Sequence, residues 1–204
     1  MPVLRSALRA TAASAVLAAA MTLAAPLGAQ EAVSPVTPQP AADAVQPGLA
    51  VKYYFHLFRH IDELIDWQDY KDGKPGPVIE RLNYAVGQGD VLTSGVDNGV
   101  GAEITGLIRL EKAGTYAFAL NSNDGIRLWV GGAQIVDDPG VHADQFSPIG
   151  EVSVETPGWY PFKLLYFERK NTSTLQLHWR QPGDPPGTMP LVPAEVFGHI
   201  PAEG

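Results

Sequence analysis

The stretch from Gly114 to Val130, GTYAFALNSNDGIRLWV, constrains the fold of this chain more than any other. Two runs, 115–120 and 126–130, alternate apolar and other side chains with a period of two, as half-buried strands do. The polar link 121–125 between them ends in Asn-Asp-Gly, which is typical of a tight turn. The sequence therefore predicts two strands joined by a polar turn, a place where binding groups are often mounted. The predicted apolar faces are Tyr116, Phe118 and Leu120 in the first run, and Ile126, Leu128 and Val130 in the second.

Further short strands follow the same pattern and are separated by Gly- and Pro-containing turns. Regularly spaced strands of this kind, with 21 glycines and 18 prolines, predict an all-β sandwich or barrel and argue against a helical fold. The length of 204 residues suits one domain with its own core. The predicted strands are 104–110, 134–137, 149–154, 159–168 and 174–180, with an apolar run at 49–58 before them.

The first part of the chain divides into a leader and a spacer. Residues 1–29 combine Arg5 and Arg9 with a short Ala/Leu-rich run and small residues, which predicts a secretory signal peptide cleaved after Ala29. A membrane anchor is the competing interpretation, although the run is shorter than a bilayer span. Residues 30–47 carry four prolines and are predicted to be an extended spacer. The domain is then expected at 48–198, with a short tail at 199–204.

Composition narrows the classes of partner. The chain has no cysteine, which excludes disulfides and thiolate metal sites. Both basic residues of the leader are lost on cleavage, so 12 basic residues remain against 22 acidic ones. Such a balance disfavours nucleic acid and is compatible with divalent cations and neutral glycans. The five histidines show no zinc-binding spacing, and no membrane span is expected after the leader.

Two acidic turns are the candidate sites. Asn123-Asp124-Gly125 offers oxygen ligands beside a glycine, and it is equally a motif that forms a turn by itself. Asp137-Asp138 precedes Pro-Gly and could lend ligands to the same rim, or be a solvated turn. Trp129 lies off the apolar face of its strand, where it could stack on a sugar ring or pack a second face of the sandwich. No pair of acids and no serine stands in a catalytic context, so no enzyme activity is expected.

Five segments, in this order along the chain, carry a family resemblance. The chain resembles the protective-antigen domain family, the fourteen-kilodalton β-sandwich module of anthrax protective antigen that also occurs in yeast flocculins, adhesins and glycosidases. The resemblance covers about residues 48–198. The segments are GLAVKYYF (48–55), AGTYAFALNSNDGIRLWVGG (113–132), IVDDPG (135–140), PGWYPFKLLYFE (157–168) and LQLHWRQPG (175–183).

The resemblance implies an antiparallel β-sandwich or barrel with sugar-binding ability. In lectin members of the family, two consecutive aspartates after the first strand of this motif hold a calcium ion that contacts sugar hydroxyls. Asp124 matches the second of them, whereas Asn123 replaces the first with a neutral amide. The resemblance thus implies calcium at Asn123 and Asp124, and Asp137 and Asp138 are the further predicted ligands.

The sequence as a whole predicts an exported, non-catalytic, lectin-like module that binds a glycan or cell-envelope polysaccharide with calcium as its cofactor. The predicted carbohydrate-binding residues are Asn123, Asp124 and Trp129. The alternative is a structural or protein-interaction module of the bacterial cell envelope that binds neither sugar nor metal. Periplasmic, cell-surface and extracellular locations all fit the predicted leader.

Overall fold

The computed structural model describes residues 31–201, which form two mainly antiparallel β-sheets with one hydrophobic core between them. The predicted signal peptide lies outside the described residues. The predicted all-β sandwich of a single domain is confirmed. The six-stranded sheet consists of β1 (Glu31–Ala32), β5 (Asn83–Gly87), β7 (Gly114–Asn123), β10 (Gln145–Phe146), β11 (Gly150–Val154) and β13 (Ser173–Arg180). The eight-stranded sheet consists of β2 (Gln46–Pro47), β3 (Ala50–Phe55), β4 (Lys74–Pro75), β6 (Val100–Leu110), β8 (Ile126–Val130), β9 (Ala133–Asp138), β12 (Gly158–Glu168) and β14 (Phe197–His199).

Alternation along the strands decides which side chains fill the core. In β7, Tyr116, Phe118 and Leu120 are fully buried. The rings of Tyr116 and Phe118 lie 5.7 and 6.3 Å from that of Trp179 on the neighbouring strand β13. Aromatic pairs at these separations add to the stabilisation from burial alone. The predicted apolar faces of both opening runs are therefore core faces.

The polar link 121–125 does not form the predicted hairpin turn. Strand β7 belongs to the six-stranded sheet, whereas β8 pairs with β9 and β12 in the other sheet. The link therefore crosses from one sheet to the other. Gly125 lies at the crossing, where a Cβ atom would stand 2.6 Å from the ring of Phe167 and 2.8 Å from the carbonyl oxygen of Gly140. Such close approach of backbone and neighbours requires glycine.

Strand β12 connects the two ends of the sandwich. It pairs along its whole length with β6, from Trp159 opposite Arg109 to Glu168 opposite Val100. At about 3.3 Å per residue, its two ends lie roughly 30 Å apart. The crossing link and the end of β12 at Glu168 lie at the same end of the molecule, because Asp124 N–H donates to the carbonyl oxygen of Phe167.

A single α-helix covers part of the outer face of the eight-stranded sheet. Helix α1 (Ile61–Gln68) begins after His60, whose Nδ1 accepts the N–H of Asp62. It buries Ile61 and Leu64 in a second apolar cluster with Leu165 and Phe167. The acidic residues of this segment, taken alone, favour a solvated loop with a short helical turn. The structure differs because the apolar side of the helix has a partner on β12. Among residues 31–201, no helix has the length and apolar character of a membrane span.

The predicted spacer packs against the domain. Strand β1 pairs with β11, Val33 is buried, and β2 pairs with β14. The side chain of Gln39 also bonds both the N–H and the carbonyl group of Trp159. The two short strands of the spacer add to sheet edges, as extended backbone can. The domain therefore includes the predicted spacer, and the predicted tail residue His199 lies within β14.

Candidate functional site

Three segments meet at one end of the sandwich, and the carboxylate of Asp124 holds them together. Its Oδ1 accepts the backbone N–H of His142 at 3.0 Å, and its Oδ2 accepts the backbone N–H of Arg169 at 2.8 Å. Asp124 itself is 3% exposed. The crossing link, the loop after β9 and the loop that runs from β12 in one sheet to β13 in the other are thus fixed relative to one another.

The side chain of Asn123 makes a second set of links between the same segments. Its Nδ2 donates to Asp144 Oδ1 at 3.0 Å and to Thr172 Oγ1 at 2.9 Å. The backbone carbonyl oxygen of Asn123 accepts the hydroxyl of buried Tyr166 at 2.7 Å, and the Asn123–Asp124 peptide bond is cis. Asp144 also accepts the hydroxyl of Thr174 at 2.9 Å, so both of its carboxylate oxygens have partners. The polar groups of this end are held in a fixed arrangement.

A cavity of about 370 Å³ opens between these segments. Its walls carry hydrogen-bond donors and acceptors of several kinds together with two cationic side chains. A concave site with a few convergent polar groups is the usual form of a small-ligand site. The cavity is lined by Asn123 and Asp124 of the link, by Val141, His142 and Ala143, and by Arg169, Lys170, Asn171 and Thr172 of the β12–β13 loop.

Burial sets the electrostatics around the cavity. It raises the pKa of the Asp124 carboxyl, and the N–H groups of Arg169 and His142 oppose that rise. Glu168, just before the β12–β13 loop, is fully buried, and burial raises its pKa to about 7. Its Oε2 accepts the N–H of Gly99, while the nearby carboxylates of Asp124 and Asp97 add to the rise. Buried acids near a cleft are a common feature of functional sites, and they also occur in purely structural networks.

The structure brings together only part of the predicted site. Asp138 lies near the cavity, since its Oδ2 stands 3.5 Å from His142 Nε2. Asp137 points away and forms a two-bond ion pair with Arg127 at 2.8 and 3.2 Å. Trp129 lies on the outer face of the eight-stranded sheet, with the Lys163 amine 5.7 Å from its ring. Asn123 and Asp124 are therefore joined by Asp138, but not by Asp137 or Trp129.

The residues that the sequence did not single out come mainly from the loop between β12 and β13. Arg169, Lys170 and Thr172 line the cavity, yet no local pattern marks them as site residues. Their only signal is position, since they follow a long apolar strand and precede another. In the structure, the backbone of Asn171 stands out, because its φ of 79° is rare for a residue other than glycine.

In their present arrangement, the side chains of Asn123 and Asp124 do not fit a calcium ion. Calcium takes six to eight oxygen ligands, and its affinity depends on the number of charged ones. Both oxygens of Asp124 already accept backbone N–H groups, and Asn123 presents its amide nitrogen to Asp144. Within residues 31–201, no three His, Asp or Glu side chains are arranged to hold a metal. Calcium therefore stays a prediction from the sequence.

The fold and this cavity define a β-sandwich with a loop-built site at one end. The family model of the PA14 domain matches residues 91–191. This matched segment runs from just before β6 to beyond β13 and contains the whole cavity, so this part of the chain is similar to PA14 domains.

Solved structures share the fold at low sequence identity. A PA14 sugar-binding domain from an RTX adhesin is 18% identical with a TM-score of 0.60, covering 75% of this chain and 98% of that one. The Epithelial Adhesin 9 A domain from Candida glabrata, in complex with Galβ1-4GlcNAc, is 12% identical with a TM-score of 0.61. There the alignment covers 84% of this chain and 96% of the other. At these identities the likeness shows the fold alone.

A second group of similar proteins has a different description. The anti-sigma-I factor RsgI3 of Acetivibrio thermocellus is 26% identical over 139 residues, which cover 65% of this chain and 19% of RsgI3. An anti-sigma factor domain-containing protein of solved structure is 18% identical with a TM-score of 0.60, and 48% of it is covered. The chain thus spans about a fifth of the curated relative and about half of the solved one.

Proposed function

We propose that the chain is a non-catalytic carbohydrate-binding module whose ligand occupies the cavity between the crossing link, the loop after β9 and the β12–β13 loop. The observation that carries this proposal is the convergence of polar groups from three segments on a cavity of about 370 Å³ whose walls are fixed by Asp124. The adhesin domains of the same fold, described as sugar-binding or solved with a sugar, support it.

The cavity residues divide into a frame and a set of ligand contacts. Asp124 and Asn123 belong to the frame, because their hydrogen bonds tie the walls together. Lys170, Asn171 and Thr172 lie on the cavity wall and are the proposed direct contacts. Amide, hydroxyl and ammonium groups match sugar hydroxyls, which both donate and accept hydrogen bonds. Direct hydrogen bonding by protein groups is therefore the proposed mode, in place of chelation by a metal.

A glycan array followed by calorimetry on the strongest hit tests the proposal. The informative variant is Asn171→Gly, because glycine accepts the φ of 79° while the side chain leaves the cavity. The backbone N–H that donates to Asn98 is retained. We expect at least a tenfold loss of affinity with an unchanged melting temperature. Asp124→Ala should lose binding as well, together with stability, since two backbone N–H groups lose their acceptor.

Asp137→Ala is the matched control, since it removes an acid predicted from the sequence that lies away from the cavity. Its sugar affinity should equal that of the unmodified chain. If the unmodified chain and Asn171→Gly bind the sugar with equal affinity, the sugar binds elsewhere and the proposed site is wrong. The array also tests Trp129→Ala, which we expect to bind normally because Trp129 lies on the outer face of the other sheet.

Export is part of the proposal. The predicted leader at 1–29 and the adhesin relatives favour a periplasmic, cell-surface or extracellular location, where a glycan or an envelope polysaccharide is the available partner. Fractionation of cells that produce the full chain tests this, with mass spectrometry of the N-terminus to locate the cleavage site.

A structural or protein-interaction module is the second candidate. One specific observation favours it: Asn123, Asp124 and Asp144 already satisfy one another and the surrounding backbone. The relatives described as anti-sigma factors are compatible with this second candidate. A folded chain that binds no saccharide on the array would support this candidate over the first.

A further inference from the structure

Three amide side chains and one phenylalanine form a row across the outer face of the six-stranded sheet, next to the cavity. Phe146 of β10 stands opposite Asn121 of β7, Asn121 opposite Gln176 of β13, and Gln176 opposite Asn83 of β5. We call these four residues the amide row. At about 4.8 Å between neighbouring strands, the row is roughly 14 Å long.

Hydrogen bonds hold the three amides of the row in line. Asn121 Nδ2 donates to Gln176 Oε1 at 3.1 Å, and Gln176 Nε2 donates to Asn83 Oδ1 at 2.8 Å. Each link uses one donor and one acceptor, whereas an amide side chain has two N–H groups and a carbonyl oxygen with two lone pairs. The half-buried amides thus keep hydrogen-bonding capacity that faces outward from the sheet.

Phe146 places an aromatic surface at one end of the row. Its side chain is 58% exposed, which is unusual for a residue of this size. Its ring meets that of His178 edge to face, with 5.1 Å between centroids, so one edge is fixed while a face stays accessible. A flat apolar ring beside hydrogen-bonding amides matches the two kinds of surface that a sugar ring presents.

The row is continuous with the cavity. Asn121 precedes Asn123 by two residues on the same face of β7, and Phe146 follows Asp144 by two residues. Asp144 bonds Asn123, which lines the cavity, and Thr174, which precedes Gln176 by two residues on β13. A ligand that leaves the cavity over Asp144 therefore meets the amide row directly.

We propose that the amide row extends the saccharide site, so that the cavity holds one unit of a neutral oligosaccharide and the row binds the units that follow. This inference rests on the proposed function. The row carries no charged side chain, which favours a neutral chain over a uronic acid polymer or an acidic peptide. A saccharide that occupies both the cavity and the row is longer than one that occupies the cavity alone, so affinity should depend on the number of linked sugar units.

A purely structural role is the competing interpretation, because cross-strand amide pairs also stabilise sheets. Phe146 separates the two interpretations. A residue that is more than half exposed contributes little to stability, so Phe146→Ala should leave the melting temperature almost unchanged. A loss of affinity in that variant reports on the ligand and not on the sheet.

The experiment measures binding to immobilised glucose, N-acetylglucosamine, mannose and galactose, each presented as one to six linked units. For the series that binds, we expect affinity to rise at least tenfold from one unit to four. Phe146→Ala should reduce four-unit binding by about tenfold, the size of one aromatic contact, and leave one-unit binding unchanged. Gln176→Ala should act in the same way. The matched control is Phe55→Ala, which removes an exposed phenylalanine on the other sheet.

Each outcome decides one of the two proposals. Binding of one unit without any gain from longer chains overturns the extension and leaves the cavity site standing. An equal loss of one-unit and four-unit binding in Phe146→Ala also overturns it. No binding to any immobilised sugar overturns the proposed function, and the extension falls with it.

Discussion

The side-chain amide of Asn123 donates to the carboxylate of Asp144 across 3.0 Å. The family resemblance places a carboxylate at position 123, and a carboxylate there would face Asp144 with a like charge. The amide turns that repulsion into a hydrogen bond, which is worth about 1.5–3 kcal/mol when one partner is charged. The loop end of this sandwich is therefore held together by direct hydrogen bonds between protein groups.

Asn123→Asp should make the protein dependent on calcium. In chelator the variant loses the bond to Asp144 and gains repulsion from it, so its free energy of unfolding should fall by about 2 kcal/mol. With millimolar calcium the added carboxylate raises the ligand charge, and binding to the folded state should raise the melting temperature. Thermal melts in calcium and in chelator measure both effects.

The unmodified chain is the first comparison, and its melting temperature should not change with calcium. Asn83→Asp is the second, because it adds the same charge to the same sheet while keeping the acceptor used by Gln176. A one-site calorimetric titration of the unmodified chain with calcium, abolished in Asp124→Ala, would establish the calcium site that the sequence predicts and refute this account of Asn123.

Glu168 should make the protein less stable as the pH rises. Burial raises the pKa of Glu168 to about 7, whereas a glutamate in the unfolded chain titrates near 4.3. Between these values the folded state holds a proton that the unfolded state has released, so stability falls with rising pH. The free energy of unfolding should decrease by on the order of 2–3 kcal/mol from pH 4.5 to 7.5.

Denaturant unfolding across this pH range, compared with Glu168→Gln, isolates the effect. Glutamine keeps the acceptor for the N–H of Gly99 and does not titrate, so the variant should be more stable at pH 8 and lack most of the slope. Glu111→Gln, an exposed acid paired with Arg109, should retain it. A slope that persists in Glu168→Gln would assign the titration to Asp124 or another acid.

Alternation predicted the strands well and could not predict how they pair. Leu175 and Leu177 face the core because every second position of β13 does, and any sheet would bury them equally. Whether the polar link after Leu120 turns back or crosses to the other sheet depends on Phe167 and Gly140, which pack around Gly125. These contacts are distant in sequence, so the local pattern looks the same in both cases.

The same limit applies to the site and to the spacer. Asp124 was recognisable from its own motif, but its partners Arg169 and His142 contribute backbone N–H groups, which no residue type reveals. The packing of the spacer depends on the bond between Gln39 and Trp159, 120 residues apart. The chemistry of a local motif can be predicted from the sequence, whereas predicting how several loops assemble into a site requires knowledge of the fold.

Arg127 should fix helix α1 to the sheet. Its guanidinium bonds Asp137 on β9 twice and Asp62 on α1 once, at 2.8 Å, and its side chain is only 13% exposed. Fork-shaped pairing of this kind is stronger than an ordinary surface ion pair. Arg127→Met should lower the free energy of unfolding by about 1 kcal/mol and speed amide exchange in the helix.

Arg109→Met serves as the matched control for that change. Arg109 pairs with Glu111 at 3.2 Å and its side chain is 53% exposed, so its loss should cost less than about 0.5 kcal/mol. Hydrogen exchange followed by mass spectrometry measures the rate of amide exchange in helix α1 directly. Unchanged exchange at residues 61–68 in Arg127→Met would mean that the apolar contacts of Ile61 and Leu64 alone hold the helix.

Gly125→Ala should disrupt the crossing between the two sheets. The new methyl group would stand 2.6 Å from the Phe167 ring and 2.8 Å from backbone atoms of Pro139 and Gly140, and those backbone atoms cannot move aside without shifting the loop. Overpacking of this kind costs about 1–3 kcal/mol.

Gly140→Ala is the control in the same loop, because its Cβ would meet no atom within 4 Å. Chemical denaturation of both variants tests the pair, and since the crossing forms one wall of the cavity, Gly125→Ala should also weaken saccharide binding while Gly140→Ala should not. Equal stability of the two variants would show that the loop yields to the methyl group and that the crossing does not depend on glycine.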